Sequence, residues 1–591
     1  MDILKTVSYW SEHPFFDEDT RKAASRLLLE EHRLEREECF GGMLEFGTGG
    51  MRGPMGTGTN RMNPYTVMRA TEGLARVIER HFEESPWNTA GRSSPGVVIG
   101  YDSRNSSWLF AEVSAEVLCA YGIQVFLFSE IVPTPLVSCE LLRRSASSAI
   151  IITASHNPPE DNGYKVYWSH GGQIVSPVDN LIIEEIETIT RIDEIPRMSL
   201  EQARRQGLLQ DLNDEADRFY FSQVEKLSWG RPEANKDYGV VYTPLHGTGS
   251  RLVPELLKRR GFRRFRCVEE QMKADGNFPT LVSPNPEDPR AFEMALAQAE
   301  ATDDLIIAND PDADRLGVMV RDEEHSWQRL DGNQIGVLLL DYVLSQMHEN
   351  GNLPRKALVI VTAVSSRLPV MIARSYGLEV VETLTGFKWI RDAAVRYEKS
   401  GQGSFVFGME ESHGYLCGTY TGDKDGVWAA LAFAEMGASL KSKGKNVLQQ
   451  LQILYRKHGA HLDALETLTL KGVEGTLRID GIMEGLRQTP PRSLGGRSVL
   501  RRTDLLRDEQ IECCTGKVSK GPGLPASNVI LLELEGGSRV IARPSGTEPK
   551  IKFYFNLCGD EMKELESGLL DLKEDFKMYR DRLQDGSAAS C

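Results

Sequence analysis

The sequence predicts an α/β fold in which one strand-and-helix theme occurs three times, followed by a smaller α+β segment. Helix-like stretches such as AEVSAEVLCAYG, VPELLKRRG and RLPVMIARSYG separate short apolar runs, a pattern typical of α/β units. Residues 459–585 differ, because VILLELEGG, SRVIARPSG and IKFYFNL alternate apolar and polar residues before a charged C-terminal helix. The apolar runs predicted as strands are 97–100, 125–128 and 149–153, then 239–243, 265–268 and 304–308, then 357–361, 378–382 and 404–408.

The beginning of the chain has a different pattern. RKAASRLLLEEHRLEREECF places apolar residues at helical spacing, so the first forty residues are predicted to be helical. The glycine-rich stretch 46–63 is predicted to loop rather than to form regular structure. The predicted segments are 1–40 (helical), 41–211, 212–323 and 324–458 (three α/β domains) and 459–585 (the α+β domain).

Composition narrows the class of protein. The chain has 591 residues, of which 40% are hydrophobic and 26% charged, as in an ordinary globular protein. A net charge of -16 argues against nucleic-acid or anionic-membrane partners, which require basic surfaces. The nine cysteines form no CxxC pair and the N-terminus lacks an apolar signal core, so we expect reduced thiols and a cytoplasmic location.

The segment DPDADR follows the predicted strand 304–308. Its carboxylates, Asp310, Asp312 and Asp314, stand at alternate positions and would favour a hard divalent cation with oxygen ligands. An EF-hand is excluded, because Arg315 and Arg321 occupy the positions where that loop needs Gly and Glu. Two alternatives remain open: a solvated acidic turn, and a phosphatase of the haloacid-dehalogenase type with Asp310 as nucleophile, although Asp314 departs from that pattern.

The polar loop TASHNPPEDNGYK follows the predicted strand 149–153. Taken alone, Ser155 in TASHNP is better explained as a turn residue or a helix cap than as a nucleophile. As a phosphoserine it would carry about -1.5 to -2 charge, which requires a metal between it and the three aspartates. The two loops therefore explain each other, and His156 and Lys165 could stabilise charge or relay a proton.

Three further loops carry candidate ligand-binding residues. MEESHGY, after the predicted strand 404–408, offers Glu410 and Ser412 to sugar hydroxyls, and TLTGFKW offers Lys388. The alternative for these two loops is an ordinary turn with a solvated lysine. RPSGTEPKIK could clamp a phosphate, unless it is only a polar hairpin turn; it contains Arg543, Ser545, Gly546, Thr547 and Lys550.

In order along the chain, TASHNP, DPDADR, EESHG and RPSGT resemble the four signature loops of the α-D-phosphohexomutase superfamily, and GTGGMRG near the start also resembles a family motif. The resemblance covers nearly the whole chain. It implies four domains around a central cleft, namely three similar mixed α/β domains and a C-terminal α+β domain of TATA-binding-protein-like shape. The chain differs from the pattern usual in glucomutases at Met409 and at His413, so the resemblance does not imply a catalytic role for His413.

The resemblance also implies a role for each matching residue. Ser155 would be the phosphorylated nucleophile and, with Asp310, Asp312 and Asp314, a ligand of Mg²⁺. Support for phosphoryl transfer is implied for Arg52, His156 and Lys165. Substrate contacts are implied for Arg315, Lys388, Glu410, Ser412, Arg543, Ser545, Gly546, Thr547 and Lys550.

The implied activity is interconversion of glucose 1-phosphate and glucose 6-phosphate, with glucose 1,6-bisphosphate as intermediate and activator, in a monomer or dimer. The FGTGGMRG and GTEPKIKFY contexts resemble the branch that contains long bacterial phosphoglucomutases, phosphopentomutases and glucose-1,6-bisphosphate synthases. A phosphopentomutase or phosphomannomutase is therefore the alternative on the same machinery. A phosphatase or a non-enzymatic regulatory binder is the alternative outside it.

Overall fold

The computed structural model describes residues 2–82, 95–470, 472–545 and 550–584. These residues form two compact units. The first runs to Asp331 and includes Ala394–Gly408 and Ser412–Asn446, and the second contains the other described residues. Among the described helices, none combines the length and apolarity needed to cross a membrane.

The N-terminal segment is helical but broken into three helices. Asp2 and Asp17 cap the first two helices, each accepting a hydrogen bond from a backbone N–H three residues on. Trp10 stacks on Phe16, with 4.5 Å between ring centroids. This contact holds the connection between the first two helices against the core. The helices are α1 (Ile3–Glu12), α2 (Glu18–Leu27) and α3 (Arg33–Phe40), with a 3₁₀ turn at Glu30–His32.

The first α/β sheet has six strands. They are β1 (Gly50–Pro54), β2 (Gly96–Tyr101), β3 (Gln124–Phe128), β4 (Ser148–Ile152), β5 (Asp161–Trp168) and β6 (Leu209–Leu212), in the order β1-β5-β4-β2-β3-β6. Strands β4, β2, β3 and β6 are parallel to one another. Strand β5 is antiparallel to β4, and β1 is antiparallel to β5. The accompanying helices are α4 (Pro64–Phe82), α5 (Ser107–Ala120), α6 (Thr134–Arg143), α7 (Val178–Thr188) and α8 (Leu200–Arg205).

Two sequence-based predictions are wrong in this sheet. Part of the glycine-rich stretch forms β1, and the end of the polar loop TASHNPPEDNGYK forms β5, so Lys165 lies on a strand. The pairing of β1 with β5 explains the glycine, because a Cβ at Gly50 would lie 1.9 Å from the carbonyl oxygen of Tyr164. Glycine here permits close approach of two backbones, which loop statistics do not reveal.

The second sheet repeats this plan with five strands. They are β7 (Val240–Thr243), β8 (Phe265–Cys267), β9 (Leu305–Ala308), β10 (Gly317–Arg321) and β11 (Trp327–Arg329), in the order β11-β10-β9-β7-β8. Strands β9, β7 and β8 are parallel, and β10 returns antiparallel to β9 just as β5 returns to β4. The helices are α9 (Asp214–Lys226), α10 (Pro232–Asn235), α11 (Gly249–Arg259) and α12 (Glu293–Gln298), with a 3₁₀ turn at Pro289–Phe292.

The next segment contributes to both units. Its elements are α13 (Gly332–Glu349), β12 (Ala357–Thr362), α14 (Leu368–Ser375), β13 (Glu379–Thr383), α15 (Phe387–Lys399), β14 (Ser404–Glu410), β15 (Gly414–Cys417), α16 (Gly426–Ser442) and α17 (Val447–His458). In the second unit β12 and β13 pair in parallel. In the first unit the buried helix α16 is fixed by Glu435, which accepts hydrogen bonds from the backbone N–H groups of Trp229 and Gly230.

The C-terminal segment is an antiparallel sheet with two helices. Its elements are β16 (Ala460–Thr469), α18 (Gly472–Gln488), β17 (Ser493–Leu494), β18 (Arg497–Asp504), β19 (Glu509–Glu512), β20 (Val518–Lys520), β21 (Ile530–Leu534), β22 (Arg539–Pro544), β23 (Lys550–Gly559) and α19 (Met562–Gln584). The sheet order is β16-β23-β22-β21-β18-β19-β20, and β17 pairs with β18. Ile482, Leu572 and Phe576 join Phe553 and Phe555 in its core.

Within the second unit this sheet is joined to the β12–β13 region. Ala363, Leu384 and Ile541 belong to one buried apolar cluster. Beside it, Arg539 donates two hydrogen bonds of 3.0 Å to the carboxylate of Glu382. The predicted fold class, mixed α/β domains plus a C-terminal α+β domain, is confirmed by these sheets.

Candidate active site

The three aspartates of DPDADR form a buried cluster directly after β9. Asp310, Asp312 and Asp314 are at most 1% exposed, and one ligand oxygen from each lies within 4.8 Å of the others. Asp312 Oδ1 and Asp314 Oδ1 accept no hydrogen bond from any described residue. Buried carboxylate oxygens without partners are costly, and an all-oxygen set suits a hard divalent cation, so these residues fit a metal of the Mg²⁺ class.

Backbone contacts fix the conformation of DPDADR, here called the metal loop. Asn309 donates hydrogen bonds from its side-chain amide to the carbonyls of Arg315 (2.6 Å) and Gly426 (3.1 Å), which closes the loop on itself. Ala313 adopts the left-handed conformation, with φ of 50°. A Cβ at Gly426 would lie 2.4 Å from the Arg315 carbonyl oxygen, so the N-terminus of α16 reaches this loop only with glycine.

Ser155 contacts this cluster from the loop after β4. Its hydroxyl donates a hydrogen bond to Asp310 Oδ2 at 2.6 Å and lies 3.1 Å from His156 Nδ1. Ser155 has φ of 53° and its backbone N–H donates to Thr153 Oγ1, so the residue is held in a strained turn. The structure thus brings together the two loops that the sequence paired on charge alone.

Two lysines partly balance the aspartates. Lys165 Nζ donates to Asp312 Oδ2 at 2.8 Å and lies 3.6 Å from Asp314 Oδ2. Lys424 Nζ lies 3.0 Å from Asp314 Oδ2. Burial would lower the pKa of Lys165, but Asp312 and Asp314 outweigh it and raise that pKa above its ordinary value.

The carboxyl groups respond to the same surroundings in opposite ways. Burial, reinforced by the charges of Asp312 and Asp314, raises the pKa of Asp310 well above its usual range. Burial acts to raise the pKa of Asp312 as well, but the neighbouring Lys165 ammonium outweighs it and holds that pKa below the usual range. A divalent cation would remove the repulsion that these shifts record.

The loop after β4 that carries Ser155 and His156, here called the serine loop, has Arg52 and Arg315 nearby. Arg52, exposed on β1, donates to Asn157 Oδ1 at 3.1 Å. The backbone N–H of Arg315 donates to Asp310 Oδ1 at 3.0 Å, and its guanidinium pairs with Glu287. Burial and the nearby cations lower the pKa of His156 well below its ordinary value, which favours the neutral imidazole.

The MEESHGY loop is divided between the units, with Glu410 in the second and Ser412 in the first. Glu410 is buried at the end of β14, and Ser412 is partly exposed. In the first unit His413 Nδ1 lies 2.8 Å from the carbonyl oxygen of Leu316, and the Leu316 N–H donates back to the His413 carbonyl. His413 therefore fastens its loop to the exit of the metal loop, which accounts for this residue without catalysis.

The remaining candidates lie in the second unit. Lys388 is in the first turn of α15, with Nζ 5.1 Å from the ring centroid of Trp389. Arg543, Ser545 and Lys550 gather at the turn end of the β22–β23 hairpin, where the Ser545 N–H donates to the Lys550 carbonyl at 2.7 Å. Gly546 and Thr547, which were also predicted to bind phosphate, lie outside the described residues.

Sequence reasoning missed Lys424, Thr134 and Arg104. Thr134 donates a hydrogen bond to Asp312 Oδ2 at 3.2 Å, and the Arg104 guanidinium donates one to the backbone carbonyl of Ser155. Lys424 had a usable signal, since TGDKDG places charges between an apolar strand and an apolar helix. The other two had none, because their partners are 178 and 51 residues away along the chain.

A serine hydroxyl held against a buried carboxylate cluster, with cations around it, is an arrangement suited to metal-assisted phosphoryl transfer. The sequence matches the phosphoglucomutase/phosphomannomutase α/β/α domains I, II and III over residues 43–193, 218–323 and 331–457. The phosphoglucomutases of Staphylococcus aureus strains MRSA252 and MSSA476 are each 37% identical to it, over 89% of this chain and 92% and 91% of theirs.

Two solved structures share the fold. A phosphoglucomutase/phosphomannomutase family protein from Burkholderia thailandensis aligns with a TM-score of 0.64 at 18% identity, over 91% of this chain and 97% of its own. The Paramecium phosphoglucomutase pp63/parafusin, in an open form, aligns with a TM-score of 0.65 at 18% identity, over 92% and 95%. The chain belongs to the phosphoglucomutase/phosphomannomutase family, and the predicted enzyme class, a sugar-phosphate mutase, is confirmed.

Proposed function

We propose that this enzyme interconverts glucose 1-phosphate and glucose 6-phosphate through a phosphoserine at Ser155 and a glucose 1,6-bisphosphate intermediate. The observation that carries the proposal is the 2.6 Å hydrogen bond from the Ser155 hydroxyl to Asp310, which sets a nucleophile into the aspartate cluster. The name of the Staphylococcus aureus relatives, phosphoglucomutase, supports glucose as the sugar.

The aspartate cluster is proposed to hold Mg²⁺, with Asp310, Asp312 and Asp314 as ligands and the oxygen of Ser155 as a further one. The bound ion would supply electrostatic stabilisation of the charge on the transferring phosphoryl group. Lys165 and Lys424, which contact Asp312 and Asp314, keep the cluster from accumulating its full negative charge before binding.

In the proposed cycle the bond between phosphorus and Ser155 Oγ breaks as a bond from phosphorus to a sugar hydroxyl oxygen forms. The sugar hydroxyl proton passes to His156, which is neutral and 3.1 Å from Ser155 Oγ and can pass it on to the departing Ser155 oxygen. Lys165, whose raised pKa keeps it protonated, would stabilise charge. The bisphosphate then transfers its other phosphoryl group to Ser155 Oγ, as the bond from that phosphorus to its sugar oxygen breaks and the Ser155 hydroxyl proton passes through the same base to that oxygen. The net reaction moves phosphate between two positions. Arg52 and Arg315 would stabilise charge on the transferring group.

Substrate binding is proposed for residues of the MEESHGY loop, for Lys388 and for the β22–β23 hairpin. Carboxylate and hydroxyl groups suit sugar hydroxyls, and a guanidinium with nearby hydroxyls and backbone amides suits a phosphate. The sugar is assigned to Lys388, Glu410 and Ser412. The non-reacting phosphate is assigned to Arg543, Ser545, Gly546, Thr547 and Lys550, with Arg315 close to the reacting one.

The test is a substrate panel on purified protein with Mg²⁺, comparing glucose, mannose and ribose 1-phosphates by kcat/KM. Glucose 1-phosphate should be preferred. A higher value for ribose or mannose 1-phosphate would replace glucose by that sugar and leave the mutase chemistry intact.

Intact-mass analysis tests the covalent step. After incubation with glucose 1,6-bisphosphate the wild type and S129A should carry one phosphoryl group, and S155A should carry none and lack turnover. Ser129 is a matched control, because it is exposed and its hydroxyl only donates to the Leu212 carbonyl. Phosphorylation of S155A at an aspartate would refute the assignment.

The cytoplasmic location, the monomer-or-dimer state, the bisphosphate activator and the domain limits 41–211, 212–323, 324–458 and 459–585 stay predictions. Sedimentation of the purified protein tests the monomer-or-dimer state. Turnover measured with and without added bisphosphate tests the need for the activator.

A further inference from the structure

Arg104, just after β2, is the main partner of the backbone that carries Ser155. Its guanidinium donates hydrogen bonds to the carbonyl oxygens of Ser155 (2.6 Å), Asn157 (2.5 Å), Pro158 (2.7 Å) and Asp161 (2.9 Å). One side chain thus holds four carbonyls between Ser155 and Asp161, of which the Pro158 carbonyl also accepts from the Asp161 N–H at 3.1 Å. The serine loop is held from its nucleophile to the first residue of β5.

Arg104 is itself fixed on two sides. Asp102 accepts a hydrogen bond from the Arg104 backbone N–H at 2.9 Å, and its carboxylate lies 3.4 Å from Arg104 Nε. The ring of Phe278, from the family's domain II, covers the guanidinium at 5.0 Å from its centroid. The side chains of Arg104 and Asp102 are 0% exposed, so neither can touch a substrate.

The segment that carries Phe278 is tied to the metal loop. His246 lies 2.9 Å from the carbonyl of Lys273 with Nδ1 and 2.9 Å from Thr280 Oγ1 with Nε2, which fixes both ends of residues 273–280. Two residues on, Thr248 donates to the carbonyl of Pro311, inside DPDADR. A continuous set of contacts therefore runs from the aspartate cluster to the grip on the serine loop.

We propose that Arg104 is a positioning residue for phosphoryl transfer, which sets the Ser155 oxygen relative to the aspartate cluster through the four carbonyls. The inference deepens the proposed function and rests on Ser155 being the phosphorylated nucleophile. Its physical basis is the strained backbone at Ser155, with φ of 53°, which relaxes unless the neighbouring carbonyls are held. A displacement of about 1 Å at the nucleophile costs about 100-fold in rate.

The experiment compares R104M and R104K with a matched control, R36M. Arg36 is also buried and also holds backbone carbonyls, those of Leu27 (2.9 Å) and Leu28 and Leu29 (3.4 Å each), at the turn between α2 and α3. The readouts are kcat and KM for the preferred sugar phosphate, the thermal unfolding midpoint, and the single-turnover rate of phosphoryl transfer from pre-phosphorylated enzyme to sugar phosphate.

R104M should lose about 100-fold in kcat and in the single-turnover rate, with KM changed by less than about threefold. R104K should recover part of the rate, because an ammonium can reach some of the carbonyls but not all four. R36M should keep kcat while its unfolding midpoint falls as far as that of R104M. Equal loss of kcat in R104M and R36M, in step with lost stability, would overturn the proposal.

If R104M does not fold, R104K serves in its place, because its ammonium can reach some of the carbonyls but not all four. A reduced single-turnover rate in folded R104K supports positioning, and a wild-type rate there counts against it. Failure of the proposed function itself appears differently, as a wild-type enzyme that never acquires phosphate on Ser155.

Discussion

Replacing Asp310 by asparagine should abolish turnover and yet stabilise the enzyme in the absence of divalent metal. The change is isosteric and preserves the local contacts. An amide oxygen can still accept from the Arg315 N–H, now 3.0 Å from Asp310 Oδ1, and the amide nitrogen can donate to the Ser155 oxygen. What is lost is one of three negative charges in a buried cluster.

The expected gain follows from the spacing of the carboxylates. Their ligand oxygens lie within 4.8 Å of one another, and two unit charges at that distance repel by about 3.5 kcal/mol at an effective dielectric constant of ~20. Lys165 and Lys424 offset part of this repulsion. We expect D310N to raise the free energy of unfolding of metal-free enzyme by about 1–3 kcal/mol at pH 8.

The pH dependence has a definite sign. The folded-state pKa of Asp310 is raised by burial and by Asp312 and Asp314, so folded wild-type enzyme keeps that proton to higher pH than the unfolded chain does. Its stability therefore falls as the pH rises through the folded pKa. D310N cannot titrate here, and its advantage over the wild type should be small at pH 5 and grow toward pH 8.

The assay is unfolding by urea and by heat, followed by circular dichroism, with EDTA or with Mg²⁺. A metal at 100 times its Kd stabilises by about 2.7 kcal/mol, and D310N should lose most of this gain. The control is D504N. Asp504 is fully buried against Arg487 at 3.0 Å, and breaking a buried pair costs about 3–5 kcal/mol. If metal-free D310N is destabilised as much as D504N, the repulsion argument is refuted, and if D310N keeps turnover, the metal assignment fails.

Three other changes have defined outcomes. G50A should cost about 3 kcal/mol and reduce turnover, because its Cβ would collide with β5, whereas G42A, in open space, should be neutral within about 0.5 kcal/mol. Burial and the charge of Glu410 raise the pKa of Glu411 to about 7, so wild-type stability should fall by ~2 kcal/mol between pH 5 and 9 and E411Q should flatten that curve in urea titrations. E382Q should destabilise by ~2 kcal/mol by unpairing Arg539, and a double-mutant cycle with R539M should give a coupling of ~1 kcal/mol or more.

The strands of the α/β domains could be predicted because strands buried on both faces need continuous apolar runs. Each predicted run, from 97–100 to 404–408, coincides with an observed strand to within a few residues. The C-terminal sheet was predicted from runs that alternate apolar and polar residues, but its central strands are buried on both faces, because Leu531, Ile541 and Tyr554 pack in the cluster that contains Ala363.

The sites that depend on short local sequence were also predictable. DPDADR and TASHNP follow β9 and β4, so each loop lies at the carboxyl edge of the parallel strands of its own sheet. Strand β1, in contrast, was invisible in the sequence, because Gly50–Pro54 pairs with residues that lie 107 to 115 positions further along the chain.

The fold class, the nucleophile candidate and the carboxylate set could be predicted from the amino-acid sequence, since each depends on apolar runs or on side chains only a few residues apart. The placement of Lys165 on β5, the approach of Lys424 to Asp314 and the hydrogen bonds of Arg104 to the serine loop could be seen only in the folded chain. These depend on pairs of groups far apart in the chain, whose attraction acts only after the backbone has brought them within a few ångströms.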